Sequence, residues 1–205
     1  MHYRIFRDPE INKLIDSDPE NIITLGKYYP KYNGQYKDMD TFSHMVLDTK
    51  KDETELEQQS GEYYYYKKAI NYFTIHLRSI LSKTEEFVIC VIPTHAKGRA
   101  PSGIRTIAKR LCSPPIIDGT DVLLRAFEIP KKAIVGSRNL QNEIESLIVS
   151  NENIIRDRQV LLMDDITTTG TSLKAGKYRL ALAGAKIVVM LALARTAKTQ
   201  KNGSS

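Results

Sequence analysis

Tryptophan is absent from the 205 residues and cysteine occurs only twice, as Cys90 and Cys112. Two cysteines exclude a disulfide framework and cannot by themselves complete a structural zinc site. Cys90 lies inside an apolar run and reads as a small buried hydrophobe. No apolar run approaches the ~20 residues that would span a bilayer. The opening residues, MHYRIFRDPEINK, hold no apolar segment of the signal-peptide kind, so a cytoplasmic location is expected. Internal repeats and long low-complexity segments are missing too. So is any block of five or more basic residues, although the net charge is +6 and the pI is near 9.2. That balance suits an anionic small molecule or nucleic acid, and the scattered placement of the charges argues against the second.

What is present is an ordinary globular composition, 41% hydrophobic and 26% charged, in a chain long enough for one core. The first sixty residues are polar and broken by turn signals at Tyr29-Pro30 and Asn33-Gly34. Short runs at Ile22–Leu25 and Met45–Leu47 are read as strands. KKDETELEQQS is read as a loop or a solvated helix start. In YYYYKKAINYFTIHLRSIL, the residues Tyr66, Ile70, Phe73, Leu77 and Ile80 fall on one helical face. The four tyrosines are accordingly core and rim of an amphipathic helix rather than a platform for stacking bases.

From Phe87 the pattern changes. FVICVIP is short, β-branched and continuously apolar, as a strand covered on both faces should be. A helix is expected over Gly103–Leu111, and strand-like pieces at Val122–Phe127 and Ala133–Val135. VLLM (Val160–Met163) is a buried strand, Thr171–Ala183 a helix with the stripe Leu173, Gly176, Leu180 and Ala183, and Ala185–Ala194 a last strand after Gly184. Strand, helix, strand in that order is a βαβ unit, which implies a parallel sheet. The fold class is α/β, a Rossmann-like parallel sheet flanked by helices. The expected division is a hood over 1–84, the core over 85–197 and a flexible tail over 198–205.

The chemistry concentrates in VLLMDDITTTGTS, Val160 to Ser172. In an open parallel sheet, ligands bind beyond the carboxyl ends of the strands. A helix start there offers unused backbone N–H groups and a partial positive charge. Gly170 permits close backbone approach and Thr168, Thr169, Thr171 and Ser172 add hydroxyls, which together make a phosphate cradle. The G-x-x-x-x-G-K spacing of a Walker loop is not present. Asp164 and Asp165 are of no use to a phosphate but suit a vicinal diol, whose hydroxyls donate to carboxylates. A diol and a phosphate side by side describe a ribose 5-phosphate.

This stretch resembles the motif with which type I phosphoribosyltransferases bind phosphoribosyl pyrophosphate (PRPP): two acids, two variable positions, then Thr-Thr-Gly-x-Thr/Ser. The resemblance implies that Asp164 and Asp165 hold the ribose 2′- and 3′-hydroxyls, and that Thr167, Thr168, Thr169, Gly170, Thr171 and Ser172 cradle the 5′-phosphate. Over Phe87–Ala197 the chain is similar to the competence protein F (ComF-like) branch, through VIPTHAKGRAPSG, LLRAFEIPKKAIVGSRN, the motif and a final strand ending LALART. The branch's Arg-Gly-Phe-Asn-Gln block does not follow Arg99, and its N-terminal four-cysteine zinc module is absent.

Further roles follow from the resemblance. Thr94, His95, Ala96, Lys97, Gly98 and Arg99 would form the pyrophosphate loop, with no proton-transfer role given to His95. Arg125, Lys131 and Arg138 are candidates for a flexible catalytic loop, and Lys132 lies among them. Asp164, Asp165 and Arg125 are the expected catalytic residues. The implied reaction displaces pyrophosphate from ribose C1 by a nitrogenous acceptor, with Mg²⁺ held by pyrophosphate, ribose and water rather than by an all-protein cage. Purine-salvage relatives carry Asp where this chain has Thr168, which lowers a purine acceptor. The expected partners are PRPP and a small-molecule acceptor, in nucleotide metabolism, and type I relatives are often homodimers. Two other readings stay open: a non-catalytic PRPP or nucleotide regulator, and a DNA-uptake adapter.

Overall fold

A computed structural model of the chain describes residues 5–6, 21–30, 39–98, 101–128 and 139–197. Its strands are β1 (Ile22–Tyr28), β2 (Phe87–Val91), β3 (Ile116–Asp118), β4 (Leu123–Arg125), β5 (Leu147–Val149), β6 (Gln159–Thr167) and β7 (Ile187–Thr196). Its helices are α1 (Thr41–Asp48), α2 (Gly61–Ile80), α3 (Gly103–Leu111), α4 (Leu140–Ser146) and α5 (Thr171–Leu182). Five strands form one parallel sheet in the order β1-β7-β6-β2-β3, and β4 and β5 pair antiparallel apart from it. The arrangement is α/β and Rossmann-like.

Period-two alternation along the strands builds two cores. Phe87, Ile89, Val91, Leu161, Met163, Val189 and Leu191 point to one face, where Tyr66, Ile70, Phe73 and Leu77 of α2 and Ile104, Ile107 and Leu111 of α3 pack. Val88, Cys90, Val160, Leu162, Val188 and Met190 point to the other, against Leu173 and Leu180 of α5. All five residues of β2 are buried, as a strand covered on both faces requires. In the tyrosine row only Tyr66 is core, at 1% exposure, while Tyr64 and Tyr65 face outward at 62% and 55%. The stripe Leu173, Gly176, Leu180 and Ala183 is buried throughout. Among the described residues no helix is long and apolar enough to cross a membrane.

One segment differs from its expected form. Met45–Leu47, read as a strand, lies inside α1, where the Asp40 side chain accepts from Ser43 N at 2.7 Å and caps the first turn. A three-residue apolar run fits both periods, and the cap decides it. The expected strand at Ala133–Val135 and the tail at 198–205 lie outside the described residues. The sheet takes strands from both sides of residue 84: β1 pairs with β7 from Ile22↔Met190 to Tyr28↔Thr196.

Candidate ligand site at the carboxyl ends of β2 and β6

Neighbouring strands β2 and β6 send their chains to opposite faces. Helix α3 follows β2 into the core that holds Phe87 and Leu161, whereas α5 follows β6 into the core that holds Val88 and Leu162. Two successive connections that diverge in this way open a crevice above the carboxyl ends of the two strands, the place where open α/β sheets take ligands. The loop after β2 and the turn after β6 both lie on this rim.

The two acids sit on the last turns of ladder. β6 pairs with β7 through Asp164↔Ala192, Ile166↔Ala194 and Thr167↔Arg195, so both carboxylates are carried by rigid strand rather than by loop. Asp164 Oδ1 accepts from Asp165 N at 2.9 Å, and Asp165 Oδ1 accepts from Ile166 N. The remaining Asp165 oxygen meets the Lys50 ammonium at 2.7 Å. Burial alone would lower the pKa of Lys50. The charge of Asp165, their hydrogen bond and the charge of Asp164 more than offset this, so the ammonium is held above its ordinary value. Lys50 is delivered by the end of α1, which abuts the start of α3. A Cβ on Gly103 would lie 2.1 Å from the Thr49 carbonyl oxygen, so only glycine admits that approach.

After Thr167 the chain turns through Gly170, whose φ of +79° is the left-handed region that glycine occupies without cost. A Cβ there would also stand 2.5 Å from Ile22 Cδ1. Gly170 caps α5 with no side-chain hydrogen bond of its own, so the helix start presents backbone rather than a capping side chain to the rim. The hydroxyls of Thr169 and Thr171 meet at 2.7 Å, and Thr168 meets Thr196 of β7 at 2.9 Å. Thr168 and Thr169 are exposed, whereas Thr167 and Ser172 are buried at 2% and 5%. Ser172 Oγ donates to Glu143 Oε1 at 3.2 Å, so of the turn's hydroxyls this one faces inward.

The loop after β2 lies opposite. Ile92 N donates to Met163 O at 2.9 Å, which carries the β2–β6 pairing up to the rim. Lys97 is exposed, Gly98 has φ +84°, and Thr94, His95 and Ala96 are partly buried. Among the described residues the buried Thr94 hydroxyl has no hydrogen-bond partner. Arg99, Lys131, Lys132 and Arg138 lie outside the described residues.

Arg125 requires a correction. Expected on a flexible loop as a catalytic cation, it belongs instead to β4, is 2% exposed and pairs with the Glu143 carboxylate at 2.7 Å. A guanidinium removed from water and matched by a buried carboxylate is fixed in place, because separating the two would leave an uncompensated charge.

Among the described residues no group of three or more His, Cys, Asp or Glu can hold a metal ion. The adjacent carboxylates, one already neutralised by Lys50, fit a cation carried by a polyphosphate ligand and its water, which the acids would orient from outside. Two functional candidates, Lys50 and Glu143, escape the sequence. Lys50 sits in a charged run with no periodic signal, and Glu143 on a seven-residue helix that no apolar stripe announces. No protein-family model matches the chain, and a search of the curated proteins returns no match.

Proposed function

We propose that the protein is a phosphoribosyltransferase that binds PRPP and transfers its 5-phosphoribosyl group to a nitrogenous acceptor, releasing pyrophosphate. The observation that carries this reading is the juxtaposition, at the carboxyl ends of the neighbouring parallel strands β2 and β6, of an acid pair fixed on β6, a glycine-capped helix start with exposed threonines, and a second glycine loop after β2. A diol held by the acids, a phosphate on the amides of α5 and a pyrophosphate toward Thr94–Gly98 would span that crevice in order.

In the reaction, the bond from ribose C1 to the pyrophosphate oxygen breaks and its electron pair leaves with pyrophosphate. The acceptor nitrogen supplies the pair that forms the new bond to C1, and its proton passes to water. Positive charge builds on the ring and negative charge on the leaving group, so catalysis is mainly positioning and electrostatic stabilisation. Asp164 and Asp165 orient the ribose and favour positive charge on the ring, and the Lys97 ammonium favours charge on the leaving group. Bound Mg²⁺ would add neutralisation of the pyrophosphate, with Asp164 and Asp165 orienting its water.

A non-catalytic PRPP or nucleotide regulator is the second reading, and the burial of Arg125 favours it to the extent that one expected catalytic cation is withdrawn from the rim. Calorimetric titration with PRPP, with and without Mg²⁺, tests the site. Binding that is equal in wild type and in an Asp164→Asn/Asp165→Asn variant would sink it. Pyrophosphate release against a panel of nitrogenous bases then separates the readings: release supports the transferase, and binding with no release on any base supports the regulator.

A further inference from the structure

Beneath the rim, the two loops of the candidate site are joined by a buried ion pair. The side chains of Arg125 and Glu143 are each 1% exposed and meet at 2.7 Å. From the arginine, Nε donates to the Thr94 carbonyl at 3.0 Å. The backbone of Arg125 exchanges hydrogen bonds with Gly98, with Gly98 N donating at 3.0 Å and Arg125 N donating at 3.4 Å. From the glutamate, the second oxygen accepts from Ser172 Oγ at 3.2 Å. Ser146 Oγ accepts from the same guanidinium.

An apolar pair of similar volume would hold β4 against α4 at least as well, because ionised groups lose their hydration on burial. Packing therefore does not account for a charged pair here. Its outward bonds do: they reach both ends of the loop after β2 and the first turn of α5, the two segments that face each other across the crevice. A rigid polar chain runs from Thr94 and Gly98 through Arg125 and Glu143 to Ser172.

We propose that Arg125 and Glu143 are a positioning pair that fixes the separation of the 94–98 loop and the 168–172 turn, so that a ligand anionic at both ends is bound as one unit. This rests on the phosphoribosyltransferase reading and deepens it: the ligand class is a ribose carrying a 5-phosphate and a 1-pyrophosphate. Neither residue touches the ligand. Both act through the loops they hold.

The test compares the whole ligand with its parts. An Arg125→Met/Glu143→Leu variant replaces the pair with apolar side chains of similar length and leaves no buried charge behind. Ser172→Ala cuts only the last link. PRPP, ribose 5-phosphate and pyrophosphate are titrated separately, each with Mg²⁺. In the Arg125→Met/Glu143→Leu variant PRPP should weaken about tenfold or more while each fragment alone stays within about threefold, since the loss is one of coupling between subsites. Equal losses for PRPP and fragments, or an unchanged PRPP affinity, would overturn the inference. Hydrogen exchange on the ligand-free protein reads the tether without any ligand: Ser172→Ala should speed exchange at the Gly98 amide, which it does not contact. Unchanged exchange there removes the tether. Wild-type protein that binds no PRPP yet shows the exchange coupling overturns the donor reading and the ligand assignment together, and leaves the tether as a purely structural link.

Discussion

Lys50 and Asp165 lie 2.7 Å apart, and the lysine side chain is 43% exposed. An ion pair so open to water contributes about 0–1 kcal/mol to folding. Lys50→Met should therefore leave the thermal midpoint nearly unchanged at neutral pH while weakening PRPP binding, because the acids then face a polyanion with no neighbouring cation. Titration of PRPP at limiting Mg²⁺ checks it. The raised pKa has a definite sign. Stabilisation by this pair is fully present below the ordinary value of 10.5 and is lost as pH rises through the folded value. Urea unfolding on either side of pH 10.5 should show a steeper alkaline loss in wild type than in Lys50→Met. Gly170 makes a second prediction. With φ at +79° and Ile22 Cδ1 in the way, Gly170→Ala should cost about 1–2 kcal/mol in backbone strain alone, read by chemical denaturation. It should also weaken ribose 5-phosphate, since the turn that presents the α5 amides must shift.

At the scale of elements, α1 matters more than its size suggests. Eight residues are too few to be stable alone, so the helix depends on packing of Val46 and on its Asp40 cap. Asp40→Ala should destabilise by about 1 kcal/mol. Because α1 ends where Lys50 begins to reach Asp165, the same change should weaken PRPP binding more than its effect on the thermal midpoint implies. Asp40 stands at the opposite end of α1 from Lys50, so a binding loss that simply tracks the global stability loss would count against this placement of Lys50. The long elements were legible from their spacing. In α2 the five residues Tyr66, Ile70, Phe73, Leu77 and Ile80 repeat over four turns, and β2 and β6 are apolar runs too long and too β-branched to be loops. β3, β5 and α4 were not, since elements of three to seven residues carry fewer than two full periods of signal.

The whole molecule is held by cores that ignore the expected boundary at residue 84. Phe73 of α2 is fully buried beside Phe87, Ile89 and Leu161 of the sheet, and its ring meets Phe42 of α1 edge-on at 5.7 Å. Phe73→Ala should cost about 3–5 kcal/mol and lower the midpoint of a single transition, rather than melt a hood and leave a folded sheet. Coincident loss of far-ultraviolet circular dichroism and tyrosine fluorescence checks it. Two separate transitions would show that the N-terminal elements fold as an independent unit.

The sequence by itself determined the class of fold and the placement of the two acids and the glycine turn at the carboxyl end of β6. Both follow from local facts: strand and helix periods, and a glycine after two acids at the end of an apolar run. Tertiary structure decided the rest. Arg125 and Arg99 read alike in the sequence, as basic residues near glycine or proline. Only the pairing of β4 with β5 and the position of α4 put Glu143 against Arg125, turning an expected mobile cation into a buried tether. Lys50 likewise reaches Asp165 only once α1 has packed on β1 and α2. A side chain's charge is written in the sequence, but its solvent and its partner are set by residues far along the chain, and those decide whether the charge binds a ligand or holds the fold.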